Sequence, residues 1–598
     1  MRLASRAGWG VLVLGLVLGT LISGCVSVPT TGPVRSVERV ATVDEAPLNR
    51  PAEPALNAPP TQIVFGFLDA MEAYPVSTEV AAEYLTAEAA QRWRPGRGTV
   101  VYDERTTESL PTTGGRRSSI ALEVNEVVRL SARGTYRPAA ARGEVERQPF
   151  SLIRVDGQWR IADPPDALYV RTTFFERYYD PFDLYFLDRT QQALVSDLVF
   201  LPIGAQLPTQ LVRGVLAGPT RWLGGQAVTT VPSSARVAVS VPLRSDGVAE
   251  VQLSASVAEL PAVQLRLLSA QLAWTLRQVP AVSAFRITVD GTALDVGADD
   301  PQAVDAFAEY DPSGPATRSQ LYALTRRGAL TIAGDENPYP GLWGGRVNRM
   351  TDFSITLTDV PRVAAVRPAR SRLRVGPLGA KDFTEIDTWY TAAGALIDPQ
   401  WDRTGQLWAL DRTSTQTSWV VTDDRDAEHI PAGRLGSAAT VGMAISPDGT
   451  RVAALVDEWE GPVWGGAAVD GPAVVIARVR RDKDGTVRRL DRAYAVPSPG
   501  VRFTTMRDVD WGAPSYVSVL ADSAQDRAQP YELTIDGSQL LGGAVSGNDL
   551  AGARTIASAG VSGAVTVVGT KDGRLLMEGA DDGWAALADG QRRPHYHS

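Results

Sequence analysis

The spacing of hydrophobic residues divides the chain into a mixed first half and a β-rich second half. From Thr61, apolar residues recur every three or four positions, which predicts a helix, and a second helix is expected between Pro75 and Trp93. After residue 318 the apolar runs are short and are separated by turn residues, with little helical periodicity. The pattern therefore predicts helices and strands early in the chain and an all-β segment late in it.

The segment 61–180 is predicted to be an α+β domain. After the two helices, Ile120, Leu122 and Val124 alternate with polar residues, as on a half-buried strand. A hairpin follows, in which residues 150–155 turn at Asp156-Gly157 into Gln-Trp-Arg-Ile. Two helices followed by an antiparallel sheet with this ending resemble a cystatin- or NTF2-like domain.

The segment 181–300 contains strands at 182–187 and 194–200, followed by two amphipathic helices. The first helix carries an apolar stripe from Leu211 and stops at Gly218-Pro219, and the second runs through Leu265 to Leu276. A strand at 285–289 ends at Asp290-Gly291. These segments, in this order, resemble the GerMN domain. We expect the stripes to form the core and Asp246 and Asp290 to be turn residues.

The segment 318–595 is predicted to be a β-propeller. Ile445–Leu455 is echoed by Gln400–Leu410, and four strands are expected at 442–446, 450–456, 472–479 and 486–490. Its length fits about six or seven blades of 40 to 45 residues, and nine of the fourteen Trp residues lie in it. A two-sheet sandwich is the alternative.

Residues 301–317 are expected to link the GerMN-like domain to the propeller. The linker contains three prolines but also an apolar stretch at 304–307, which would have no use in a free linker. We therefore expect the linker to dock, so that these two domains form one rigid unit.

The first 24 residues have the pattern of a bacterial signal peptide. Two arginines precede an uncharged apolar run that is too short to span a bilayer comfortably. Leu21, Ile22, Ser23, Gly24 and Cys25 then resemble a lipobox, which implies signal-peptidase recognition of the first four and S-diacylglycerol and N-acyl groups on Cys25. An ordinary secretory signal followed by an unrelated Cys is the alternative. Residues 25–60 are rich in proline and predict an extended tether.

Composition limits the chemistry of the chain. With 59 Lys+Arg against 68 Asp+Glu and a net charge of −9, nucleic acid is not an expected partner. The single cysteine excludes an internal disulfide, and the three histidines, at 429, 595 and 597, argue against His-dependent triads and zinc sites. His595 and His597 lie in what the sequence suggests is a disordered polar tail.

No catalytic residue, metal ligand or cofactor is predicted. Asp482-Lys-Asp484-Gly485 has the start of a calcium loop but lacks its later ligands, so a hairpin turn is favoured. A glycosidase, which needs only two suitably spaced carboxylates, stays open.

The order of lipobox, tether, α+β domain, GerMN-like domain and propeller resembles the LpqB family of actinobacterial lipoproteins. That resemblance implies a lipid-anchored protein on the extracytoplasmic face of the cell membrane. It also implies a partner, the sensor domain of an MtrB-like membrane histidine kinase, and a role in two-component signalling for cell-envelope homeostasis and cell division. The cell wall is a further candidate partner.

A glycan-binding protein or a carboxylate-dependent glycan hydrolase is the alternative function. The central channel of the propeller discriminates between the two. Convergent carboxylates with exposed aromatic rings would favour glycan chemistry, and a closed channel would favour a binding protein.

Overall fold

The structure is a computed structural model. It describes residues 47–110, 115–139, 145–297, 299–314, 320–345, 349–356, 358, 360–424, 426–437, 440–466, 469, 471–498, 500–538, 540–542, 550, 552–560, 565–579 and 583–596. The signal peptide and Cys25 lie outside these ranges. Among the described residues, no helix has the length and apolar character needed to cross a membrane.

The N-terminal domain packs four helices and a six-stranded sheet. Its elements are α1 Pro60–Ala70, α2 Glu79–Glu83, α3 Ala87–Arg92, β1 Gly98–Leu110, β2 Arg117–Ser131, β3 Tyr136–Pro138, β4 Val145–Val155, β5 Gln158–Ile161, β6 Leu168–Arg171 and α4 Thr172–Tyr178. The sheet has the order β5-β4-β2-β1-β6, and β3 pairs with β2. All pairs are antiparallel except β1 with β6.

Helix α1 lies against this sheet as its apolar period predicts. Phe67 of α1 is fully buried and its ring lies 6.2 Å from that of Phe150 on β4. The second predicted helix is split into α2 and α3 because the Thr86 hydroxyl caps α3, accepting from the backbone N–H of Ala89 at 3.1 Å.

The expectation that residues 25–60 are a free tether is wrong for its last part. Asn49 pairs with Tyr74 through two backbone hydrogen bonds of 2.9 Å. The Tyr178 hydroxyl donates to the carbonyl of Pro47 at 2.8 Å. The segment docks because the N-terminal domain supplies partners for its backbone polar groups, which composition alone does not indicate.

The second domain has two small sheets around two helices. Its elements are β7 Tyr179–Asp188, β8 Leu194–Pro202, α5 Leu207–Leu216, β9 Ala227–Val228, β10 Val248–Leu253, α6 Ala262–Leu276, β11 Ala284–Val289, β12 Thr292–Ala293 and β13 Gln302–Ala303. One sheet has the order β8-β7-β9; the other has β10-β11-β12, with β13 on β11. The predicted stripes of α5 and α6 are buried in one core, and Asp246 and Asp290 lie in turns, as expected.

The segment after residue 300 packs on this second domain. Strand β13 extends its sheet, and Phe307 is 6% exposed within its core. The indole nitrogen of Trp274 donates to the carbonyl of Phe307 at 3.1 Å. The apolar stretch at 304–307 therefore packs against the second domain, from which the linker begins.

The described C-terminal strands form six sheets. They are β14 Leu321–Thr325 and β15 Leu330–Ile332; β16 Asp352–Ile355, β17 Arg362–Val366, β18 Arg372–Pro377 and β19 Asp387–Thr391; β20 Ala395–Trp401, β21 Leu407–Arg412, β22 Thr417–Thr422 and β23 Ala427–Ile430, with the short α7 Arg434–Ser437; β24 Thr440–Ile445, β25 Arg451–Val456, β26 Ala473–Arg481 and β27 Val487–Ala495; β28 Phe503–Ala513, β29 Tyr516–Ser523, β30 Gln529–Thr534 and β31 Leu540–Gly542; β32 Ala553–Ala557, β33 Val567–Thr570, β34 Arg574–Glu578 and β35 Trp584–Asp589; and β36 Gln591–Tyr596.

These sheets are the blades of a propeller, and the sandwich alternative is wrong. The second to sixth blades are four-stranded antiparallel meanders, and the strands predicted between residues 442 and 490 are confirmed as β24 to β27. Strands β16, β20, β24, β28, β32 and β36 contact one another in sequence and return from β36 to β16. They are the innermost strands, and β36 closes the ring by pairing with β14 of the first blade.

Buried contacts join the three domains, which belong to one compact unit. Between the N-terminal and second domains, the backbone N–H of Phe200 donates to the carbonyl of Gly134 at 2.8 Å. Trp222 of the second domain packs edge-on against Tyr494 of the fourth blade, with ring centroids 5.4 Å apart. The Trp464 indole of the same blade donates to the N-terminal domain at 2.7 Å.

Candidate functional site in the propeller channel

Residues of the six innermost strands line the central channel in two rings. The first ring consists of Asp352, Asp398, Met443, Asp508, Ile556 and Arg593. The second ring, two residues further along each strand, consists of Ser354, Gln400, Ile445, Asp510, Ser558 and His595. Since side chains two apart on a strand point to the same side, the rings stack along the channel.

Carboxylates of the first ring connect neighbouring blades. The backbone N–H of Asp398 donates to Oδ2 of Asp352 at 3.1 Å, and the N–H of Met443 donates to Oδ2 of Asp398 at 3.1 Å. On the other side of the ring, the N–H of Ile556 donates to Asp508 at 2.9 Å. Each carboxylate thus accepts a hydrogen bond from a backbone N–H group that has no partner within its own sheet.

Side chains of the second ring connect neighbouring blades in the same way. Oε1 of Gln400 accepts from the N–H of Ile445 at 2.8 Å, and Asp510 accepts from the N–H of Ser558 at 2.9 Å. The polar side chains of both rings are therefore occupied in holding the blades together.

Arg593 closes the channel at the first ring. Its guanidinium makes a two-pronged ion pair with Asp352 and donates to Asp398 at 2.9 Å. Burial would lower the pKa of Arg593, but the surrounding carboxylates outweigh it and raise that pKa above its ordinary value. Burial raises the pKa of Asp398 to about 6 and that of Asp508 well above its ordinary value.

The space left in the channel is small. Two adjoining cavities have volumes of about 30 and 40 Å³. A water molecule needs roughly 10–15 Å³ on this measure, so each cavity holds two or three waters and no sugar ring. The nearby rings of Phe353, Trp401 and Trp511 are at most 3% exposed and offer no face to a sugar. The channel has convergent carboxylates, but it is closed.

The structure corrects the expectation for the C-terminal tail. His595 lies in β36, with Nε2 3.1 Å from the hydroxyl of Ser354, and is not in a disordered tail. His597 lies outside the described residues, and His429 on β23 lies 3.5 Å from the Tyr390 hydroxyl. Sequence reasoning missed Arg593, because residues 591–596 read Gln-Arg-Arg-Pro-His-Tyr and show none of the apolar–polar alternation that indicates a strand.

Other candidate residues have plain structural positions. The turn at Asp482–Gly485 joins β26 to β27, with the N–H of Gly485 donating to the carbonyl of Asp482 at 3.2 Å, so the hairpin interpretation is confirmed. Within the described part of the chain, no three His, Cys, Asp or Glu side chains are grouped to hold a metal ion. Leu21, Ile22, Ser23, Gly24 and Cys25 stay predictions, since they lie outside that part.

Family profiles match each of the three domains. Residues 53–176 match "Lipoprotein LpqB, N-terminal domain", residues 183–295 match "Sporulation and spore germination", and residues 324–596 match "Lipoprotein LpqB beta-propeller domain". The second profile is the Germane, or GerMN, domain.

Relatives match over almost the whole chain. Lipoprotein LpqB of Thermobifida fusca is 27% identical over 96% of this chain and 97% of its own length. Lipoprotein LpqB of Cutibacterium acnes is 26% identical, with coverage of 95% and 96%. Among solved structures, the first GerMN domain of GerM from Bacillus subtilis is 20% identical over 19% of this chain and 86% of that chain, with a TM-score of 0.18.

The relatives are named as lipoproteins and not as enzymes. The three profiles occur in the order of the three observed domains, and the relatives cover the chain from end to end. On this evidence the chain belongs to the LpqB family of lipoproteins, with an N-terminal domain, a GerMN domain and a C-terminal β-propeller.

Proposed function

We propose that this protein is a non-enzymatic binding protein, anchored by lipid on Cys25 to the extracytoplasmic face of the cell membrane. Its partner is the sensor domain of an MtrB-like histidine kinase, whose two-component signalling it modulates. Membership of a lipoprotein family supports the anchor. Helices α1 to α3, which precede a six-stranded sheet, support a cystatin- or NTF2-like assignment for the N-terminal domain.

The closed channel is the observation that supports a non-enzymatic function. A hydrolase that used the propeller face would need room for a glycan between its carboxylates, whereas Arg593 occupies that position and pairs with two of them. The partner is then recognised by the outer surface of the protein.

The fixed arrangement of the domains supports recognition of a large partner. The Trp222 and Trp464 contacts tie the GerMN domain and the N-terminal domain to the same blade. A surface composed of elements from three domains is thereby pre-organised, which lowers the entropic cost of binding.

The test is capture of the kinase by the purified full chain. Immobilised protein should retain the extracytoplasmic domain of the kinase reversibly, and crosslinking in native membranes should join the same pair. A chain shortened within residues 30–45 should bind equally well in solution, since a tether contributes reach and no contacts.

Two results would contradict the proposal. The first is equal retention of the kinase by a synthetic peptide of residues 26–46 alone, which would place recognition in the tether. The second is reproducible muropeptide release by the full chain that is lost on replacing one channel carboxylate, such as Asp508→Asn.

A further inference from the structure

A polar cavity of about 30 Å³, separate from the two in the channel, lies between the GerMN domain and the propeller. The GerMN domain contributes Arg189, from the turn after β7, and Gln226, from the segment before β9. The propeller contributes Arg403, which follows β20, and Arg481 at the end of β26. The cavity therefore exists only because the two domains are packed together.

Hydrogen-bond donors without partners line this cavity. Gln226 is 2% exposed, and its Oε1 accepts from the backbone N–H of Arg481 at 3.0 Å. That contact fixes the amide orientation, because the reversed amide would place two donors face to face. Nε2 of Gln226 then has no partner among the described residues, and neither has Nε of Arg189, whose Nη1 donates to Gly225 at 2.9 Å.

Arg403 adds a cation without a bound carboxylate. Its contact with the carbonyl of Asp311, from Nη1, is long, at 3.4 Å. Within the described ranges, no carboxylate oxygen lies within 4.0 Å of its nitrogens. Burial lowers the pKa of Arg403, although the more distant aspartates, Asp188 and Asp448 first, act in the opposite direction.

The acceptors around the cavity are already used. Asp188 accepts four hydrogen bonds from its own turn, two of them from Thr190. Asp448 also accepts four, including one from Arg451 at 2.8 Å. Two lining residues are already ion-paired, Arg481 with Asp402 at 2.5 Å and Asp448 with Arg451 at 2.8 Å. The remaining charges of the lining are Arg189, Arg403 and Asp188, which leaves one positive charge in excess. An unpaired buried donor costs about 1–3 kcal/mol, so an acceptor is required.

We propose that this cavity binds a chloride-sized monatomic anion, held by Arg403 and by the free N–H groups of Gln226 and Arg189. The cavity has room for two or three waters, which suits a halide ion and not a tetrahedral oxyanion. Because its donors come from both domains, the bound anion joins the GerMN domain to the propeller and stabilises their packing.

The experiment is a halide titration of the full chain in detergent, in chloride-free gluconate buffer at constant ionic strength. Chloride and bromide should raise the unfolding midpoint saturably. Arg403→Gln should weaken the apparent affinity at least tenfold, Gln226→Leu about threefold, and Arg403→Lys should recover part of the loss. Arg370→Gln, a partly exposed arginine on the second blade, is the matched control and should behave as wild type.

A direct measurement keeps the proposal open to refutation if Arg403→Gln does not fold. Crystals of the wild-type chain grown in bromide should show an anomalous peak between Arg403 and Gln226. Absence of that peak, or equal halide stabilisation in wild type and Arg403→Gln, would overturn the proposal and leave ordered water in the cavity. If phosphate stabilised the protein saturably and chloride did not, the proposal would also be overturned.

Discussion

Replacing Arg593 with methionine tests whether this one side chain holds the channel together. The change keeps most of the side-chain volume but leaves the carboxylates of Asp352, Asp398 and Asp508 facing one another without their cation. Removing one partner of a buried ion pair costs about 3–5 kcal/mol. Since the Arg593 side chain is 25% exposed, we expect the lower end, about 3 kcal/mol.

The loss of stability caused by Arg593→Met should be larger at high pH than at low pH. The folded-state pKa of Asp398, about 6, lies above the unfolded value of about 3.9, so its contribution to stability falls as pH rises through 6. Arg593 holds down the pKa values of Asp398 and Asp508, so without it these two pKa values rise further and protonation relieves the repulsion. Arg593→Met should therefore be most destabilising near pH 8 and closer to wild type at pH 5.

Scanning calorimetry and urea unfolding at several pH values measure this effect. A loss of about 3 kcal/mol corresponds to a fall of about 6–12 °C in the midpoint of a domain of this size. Arg574→Met, which breaks an ion pair with both partners at least half exposed on the sixth blade, is the control and should leave the midpoint unchanged. A loss under about 1 kcal/mol at pH 8, or one independent of pH, would refute the role assigned to Arg593.

Three further predictions concern the anchor and the domain junctions. Cys25→Ala should release the protein from membranes or leave it as uncleaved precursor, and mature-sized variant retained after a high-salt wash would contradict this. Gly134→Ala should cost about 3 kcal/mol in urea unfolding, because φ is +79° and the new Cβ would clash with the carbonyl oxygen of Phe200. Gly157→Ala, with the same φ and open space around it, should cost only about 1 kcal/mol. Trp222→Ala should cost about 2 kcal/mol and separate the calorimetric transitions of the GerMN domain and propeller; a single unshifted transition would count against it.

Local turn chemistry made much of the fold predictable. The hairpins at Asp156-Gly157 and Asp290-Gly291 and the four strands of the fourth blade lie where the sequence indicates. Each depends on residues close together in the chain, namely left-handed turn positions and alternating apolar residues. The helix stripes of the GerMN domain follow equally from their 3.6-residue period.

Long-range pairing was not predictable from the same signals. Arg593 pairs with Asp352 across 241 positions, and a single chain gives no sign of which of many acids faces a given arginine. The docking of Asn49 against Tyr74 was missed because proline-rich composition indicates backbone stiffness and not the partner of each carbonyl. The ion pairs of the channel therefore could not be predicted from the sequence, because they form only when the ring of blades is closed, and that closure is a property of the whole domain.

The position of β36 has a consequence for biogenesis. The first blade begins at Leu321, yet its innermost strand comprises residues 591–596, which are synthesised after all the other described strands of the propeller. Until those residues are available, β14 lacks a strand partner on its inner side, and Asp352 lacks its arginine. The ring consequently closes only after β36 has been synthesised, while the domains before the propeller can form earlier. A chain truncated before Gln591 would leave the inner edge of β14 unpaired, and this exposed edge would favour proteolysis and aggregation.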